Sequence, residues 1–289
     1  MAQEETDNLL QLNLNLTTIE ANQSGAYEAE FGTISEGKIE AMVKGLRGQP
    51  KGENFNYNNL GGHYEVIIGE ARLREVVGIL EGELVLGIDL EFSAGKYNGE
   101  GMDGKKGLAV KDDSILACSI QISTVEENYF IDCVELQSVV GKCLKGVLED
   151  SGIIKVMHGC DTDIKILYEN YGIVIGNVFD TAKFWCVLHK TKNSPGLGRL
   201  SNEAFGLNID KTFQCAEWRI RPLPPAMLSY AITDSYLMIP IFWYFNRHFT
   251  DGDLVDRPWL KSMTDLRWKS YVKSNGFLRT MKLCQTYFN

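Results

Sequence analysis

Val85-Leu86-Gly87-Ile88-Asp89-Leu90-Glu91-Phe92 sets two acidic side chains into an aliphatic run, and the rest of the chain makes sense around it. The run reads as a buried strand. Side chains alternate across a strand, so Asp89 and Glu91 project from one face, two residues apart. Two neighbouring carboxylates in apolar surroundings repel each other and resist desolvation. A positive charge is needed between them, and the commonest answer is a divalent ion held by oxygen ligands. Asp-x-Glu alone recurs by chance, and its ordinary reading is a strand end meeting a Lys or Arg. Later segments have to decide.

Upstream, Tyr64 to Ile68 predicts a short strand, and Ala71 to Leu80 has the periodicity of a helix (Leu73, Val76, Val77, Leu80). Downstream, Ser93 to Asp113 carries glycines at 95, 99, 101, 104 and 107, which predicts a long loop. No Gly-Lys-Ser/Thr ending follows, so the loop is not a phosphate cradle. Ile115 to Ser123 and Tyr129 to Cys133 predict strands that form an antiparallel trio with the first. Leu136 to Glu149 predicts a helix, and Ile153 to Met157 another buried strand leading into His158-Gly159. A helix over Asp161 to Tyr171 follows, then Val178-Phe179 and a helix over Ala182 to His189 that Asp180-Thr181 would cap. Ser194 to Gly198 reads as a turn and Leu200 to Phe205 as a short helix. Phe213 to Pro225, with Trp218, Arg219, Arg221 and three prolines, reads as an irregular loop. Pro224-Pro225 then opens a long helix to about Phe249. Strands first and helices later, with a strand between helices, give a mixed α/β class.

The 289 residues, 44% of them hydrophobic, suit one sizeable α/β domain with extensions. No apolar run approaches the roughly 18 residues of a membrane-spanning helix, and no membrane partner is expected. The acidic start Met1-Ala2-Gln3-Glu4-Glu5 lacks the build of a secretory signal. Seven scattered cysteines without a Cys-x-x-Cys pair point to reduced thiols in a nuclear or cytosolic protein, not to disulfides or zinc. A net charge of −9 argues against a protein that merely coats nucleic acid. Residues 1–62 are polar and read as a poorly ordered or wrapping arm. The tail 251–289 differs. From Arg257 onward it carries seven basic residues against Asp265 alone, interleaved with Trp259, Trp268, Tyr271 and Phe277. That mixture suits phosphate and base contact, and equally a solvated helix packed on the core.

Three acidic stations fall on three elements. Asp89 and Glu91 lie on a strand, Asp163 in the first turn of a helix, and Asp234 on a later helix, at intervals of 74 and 71 residues. Tyr230, four residues before Asp234, shares its helix face. Asp161 competes with Asp163, since either side chain would suit a helix N-terminus.

Gly87-Ile88-Asp89-Leu90-Glu91, Lys155-Val156-Met157-His158-Gly159 through Asp163, and Tyr230 through Asp234 together resemble the DEDDy 3′→5′ exonucleases, and within them the RNase D family. Ile120 to Thr124, Phe179-Asp180-Thr181 and Ala216 to Leu223 add family-like phrases; the last is most similar to the eukaryotic branch working with the nuclear RNA exosome. The resemblance covers about Tyr64 to Phe249. It implies a ribonuclease-H-like (DnaQ-like exonuclease) fold over 63–250, a mixed sheet flanked by helices, with the tail as the remnant or start of an HRDC-like region. It implies two divalent cations, Mg2+ or Mn2+, held by Asp89, Glu91, Asp163 and Asp234, with Tyr230 orienting the attacking water. Nucleoside 5′-monophosphates would leave single-stranded RNA 3′ ends one by one. Phe92 and His158 are the candidate substrate contacts, although a core role for Phe92 and a structural one for His158 compete. Asp180 is expected to cap or support, and Trp218, Arg219 and Arg221 to pin their loop. The nucleus, with the RNA exosome or its cofactors as partners, is the expected setting. A DNA exonuclease and a catalytically silent binding member of the same fold are the alternatives.

Overall fold

The computed structural model describes residues 63–95, 106–107, 114–189 and 191–250. The elements run β1 Tyr64–Ile67, α1 Glu70–Leu80, β2 Val85–Ala94, β3 Lys106–Gly107, β4 Ile115–Ser123, β5 Asn128–Asp132, α2 Val140–Glu149, β6 Ile154–Met157, α3 Asp161–Tyr171, β7 Val178–Asp180, α4 Thr181–Leu188, α5 Leu197–Phe205, β8 Ile220–Arg221 and α6 Pro225–Thr250. The arm 1–62, the tail 251–289 and the loop stretches 96–105 and 108–113 lie outside the described residues.

Six strands form one mixed sheet in the order β1-β5-β4-β2-β6-β7, with β2 antiparallel to β4 and parallel to β6. The expected antiparallel trio is β2, β4 and β5. Alternation along β2 sorts its side chains into two layers. Leu86, Ile88 and Leu90 face a core built with Leu73, Val76 and Leu80 of α1, Val140, Leu144 and Val147 of α2, and Ile166 and Leu167 of α3. Val85 belongs to the other layer, with Phe184 of α4, Leu200 of α5 and Leu237 to Phe245 of α6. Asp89 and Glu91 share that second side with α6. The result is a three-layer α/β/α domain with the acidic strand at its centre.

Two details of β2 position the site. A β-carbon built on Gly87 would lie 2.3 Å from the Ser235 carbonyl oxygen and 3.1 Å from Met238 Cβ. Glycine therefore lets the backbone of α6 lie directly against the strand. The register slips between Glu91 and Phe92: Glu91 pairs with Ser119 but Phe92 with Ala117, so Cys118 is the extra residue of a bulge.

Several boundaries differ from expectation. Ser93 and Ala94 continue β2, paired with Leu116 and Ile115, because β4 is long enough to offer them partners. Lys106–Gly107 pairs with Ile220–Arg221, so both presumed loops contain a short strand. The helix expected from Leu136 begins at Val140, after a turn in which the Leu136 amide donates to the Asp132 carbonyl. The helix expected from Leu200 begins at Leu197, since Leu197, Leu200 and Ala204 are all buried.

The loop holding β8 is pinned as expected. Trp218 is buried, and Arg221 donates to both carboxylate oxygens of Asp132 at 2.5 and 2.7 Å and to the Cys118 carbonyl. Arg219 grips Glu217 and the Gly95 carbonyl. Among the described residues the cysteines are free thiols, and no helix is long and apolar enough to cross a membrane.

Candidate active site

Strand β2 supplies Asp89 and Glu91, the first turn of α3 supplies Asp163, and α6 supplies Asp234. Glu91, Asp163 and Asp234 are buried and Asp89 half-buried. The structure brings these four acids into one electrostatic neighbourhood. Burial, then Asp234, Glu91 and Asp163, push Asp89 well above the usual carboxylate range. Burial, Asp234 and Asp163 push Glu91 up to about 9. Burial, followed by Asp180, raises Asp163 to about 7. Burial also raises Asp234, against the pull of Lys211.

Lys211 is the cation that answers them, and nothing in the sequence marked it. It sits in a polar loop before Phe213, where a lone lysine carries no periodicity or motif. Its ammonium donates to Asp234 Oδ2 at 3.1 Å and lies 5.7 Å from the Tyr230 ring centroid. Asp234 Oδ1 is buried without a hydrogen-bond partner. Lys211, with Lys183 acting on Asp163, does not offset the burial and mutual repulsion of the four carboxyl groups, which all stay raised. An all-oxygen donor set with an orphaned oxygen suits hard divalent ions. Among the described residues no three His, Cys, Asp or Glu side chains converge closely enough to hold an ion as they stand.

The remaining candidates have definite places. Tyr230 is buried between Phe213 and Trp218, with ring centroids 5.9 and 6.1 Å away, one helical turn before Asp234. Both ring nitrogens of His158 are engaged, Nδ1 with Thr181 Oγ1 at 2.8 Å and Nε2 with the Pro195 carbonyl at 3.1 Å. His158 thereby fixes the end of β6 to α4. Phe92 packs, partly exposed, on the layer of α1 to α3. Asp180 accepts from the amides of Gly159, Cys160, Ala182 and Lys183 and pairs with the Lys183 ammonium at 3.2 Å. Against its burial, Lys183 and the Gly159 amide hold Asp180 down to about 2. Asp180 caps α4 and steadies the turn into α3, while Asp161 is taken up by Lys183. Asp163 is thus the acid of α3 left facing the cluster.

The raised carboxyl groups fix the sign of the pH dependence. Unfolded, Glu91 and Asp163 titrate near about 4. Between there and about 9 and about 7 the folded chain holds protons that the unfolded chain lacks, so stability falls as pH rises. Thermal melts in EDTA are expected to drop from about pH 6 to about pH 9, and a divalent ion to restore more stability at the higher pH. A melting temperature that stayed level or climbed over that range contradicts the clustering.

A 3′-5′ exonuclease family profile matches residues 105–249, half of the chain. The chain belongs to the 3′-5′ exonuclease family. The matched span holds Asp163, Tyr230 and Asp234; Asp89 and Glu91 precede it. Protein RRP6-like 2 of Arabidopsis thaliana is 34% identical over 185 residues, 60% of this chain and 21% of that protein. Exosome complex component 10 of Homo sapiens is 39% identical over 127 residues, 44% of this chain and 14% of that protein. The chain thus matches about a fifth or less of these relatives' length. RNase D of Trypanosoma brucei, solved in complex with RNA U12, superposes with a TM-score of 0.61 at 21% identity, over 81% of this chain and 74% of that one. At that identity the likeness is one of fold.

Proposed function

We propose that the chain is a metal-dependent 3′→5′ exoribonuclease that removes nucleoside 5′-monophosphates from single-stranded RNA ends, with catalysis confined to residues 63–250. The observation carrying this reading is that Asp234, Glu91 and Asp163, from α6, β2 and α3, all bear electrostatically on Asp89, with Lys211 as counter-charge on Asp234. Asp89, Glu91, Asp163 and Asp234 would hold two divalent ions, Mg2+ or Mn2+. Such ions, when bound, activate water and stabilise the leaving oxygen of an in-line displacement. The chain's own residues do the rest. Tyr230, wedged between Phe213 and Trp218, presents its face of α6 one turn from Asp234 and orients the attacking water. Lys211 holds Asp234 at 3.1 Å and would yield that carboxylate to a divalent ion bound there. His158 and Asp180 keep β6, α3 and α4 in register so that Asp163 stays on the cluster, and Phe92 offers a partly open ring to a terminal base.

The RNA preference rests on the relatives, one named an exosome complex component and another solved with RNA. Association with the RNA exosome is proposed from the first of those names, and the nucleus as its setting from the sequence resemblance alone. The test uses 5′-labelled single-stranded RNA and matching DNA, each with Mg2+, Mn2+ or EDTA. A one-nucleotide ladder on RNA that disappears in EDTA is expected. A ladder on DNA alone replaces this reading with a DNA exonuclease, and no ladder on either leaves a silent fold.

A further inference from the structure

Facing the two carboxylates of β2 is a row of polar side chains that neither the metal nor the water-orienting role accounts for. In the β2–β4 register Ser123 stands opposite Gly87, Gln121 opposite Asp89, and Ser119 opposite Glu91. Directly paired residues of antiparallel strands share a face and lie close. Ser123 Oγ shares a hydrogen bond of 2.8 Å with Ser235 Oγ, next to Asp234, so this face of β4 looks into the acidic cluster. Gln121 and Ser119 are fully buried.

Gln121 Nε2 donates to Ser119 Oγ at 2.7 Å, leaving Gln121 Oε1 buried without a partner. An orphaned buried acceptor is costly, and beside carboxylates it is worse, because oxygen lone pairs then face oxygen lone pairs. The two ends of a carboxamide have almost the same shape, so half a turn about its last bond needs no extra room. Turned that way, Oε1 accepts from the Ser119 hydroxyl and the two N–H bonds point away from Ser119. Phe130, paired with Gln121 on β5, offers no side-chain acceptor. The carboxylates on β2 do.

We propose that Gln121 is a positioning residue: held by Ser119, its amide donates N–H to the Asp89/Glu91 pair and sets the angle at which those carboxylates meet a divalent ion. This inference rests on the two-ion reading above and deepens it. A neutral donor suits the role. It steadies two like charges without removing either, whereas a lysine there would compete with the metal.

The test pairs the wild-type chain with Gln121→Met, which keeps the side chain's length and loses its polar atoms. Mn2+ binding is followed by calorimetry and melting in EDTA. The variant is expected to bind Mn2+ on the order of tenfold or more weakly. Its metal-free melting temperature should fall modestly, since Ser119 loses its amide partner and the carboxylate pair its N–H donor. Ser119→Ala, which frees the amide to turn, should weaken binding less. Because the variants can misfold, the wild-type chain gives a second reading: the Gln121 side-chain amide resonances in a ¹⁵N spectrum should move as Mg2+ is added. Unchanged Mn2+ affinity in Gln121→Met, or amide resonances indifferent to saturating Mg2+, overturns the inference while the metal reading stands. A wild-type chain that takes up no Mn2+ sinks both.

Discussion

Asp234→Asn is expected to slow hydrolysis of single-stranded RNA by about a thousandfold or more while leaving the fold intact. The amide has the size of the carboxyl group but no charge. It still accepts a hydrogen bond from Lys211, whose partly exposed ammonium can turn to water. Removing one of four crowded acids also relieves the repulsion that raises Asp89 and Glu91. Melting in EDTA should therefore hold steady or rise as activity vanishes. That divergence separates loss of chemistry from loss of folding. A variant that still produced the full ladder would remove Asp234 from the reaction.

Gly87→Ala should be as damaging by a different route. The new methyl group would lie 2.3 Å from the Ser235 carbonyl oxygen, which belongs to helix backbone and cannot swing aside. Helix α6 has to retreat from β2, weakening the Ser123–Ser235 hydrogen bond and drawing Asp234 away from Asp89. Overpacking of this kind costs about 1–3 kcal/mol, which lowers the melting temperature by several degrees. Displacement of a reacting group by about 1 Å costs on the order of a hundredfold in rate. Gly78→Ala is the matched control: Gly78 is exposed on α1 with nothing within 4 Å of the added carbon, and alanine favours a helix. That change should raise stability and leave activity alone. Equal behaviour of the two variants would mean that the contact between β2 and α6 does not set the site.

The acidic strand was legible because its evidence is local: a period of two along an aliphatic run places Asp89 and Glu91 without any tertiary knowledge. The long helix of Tyr230 and Asp234 was legible for a similar reason, opened by Pro224-Pro225. Contacts between distant residues were not. Lys211 meets Asp234 across a loop whose path no pattern specifies, and Gln121 owes its place to a register set jointly by two strands. Ser93 and Ala94 joined β2 because β4 offered partners, which residues 93–94 alone could not announce. His158 has both ring nitrogens committed to Thr181 and Pro195, partners 23 and 37 residues away that no local pattern specifies.

The order of the elements along the chain has a consequence for biosynthesis. Three of the four acids lie before residue 164, whereas Asp234 arrives with the last described helix, whose docking against Gly87 joins segments almost 150 residues apart. A nascent polypeptide still lacking that helix holds an unfinished site, so the four acids can come together only when nearly all of residues 63–250 have left the ribosome.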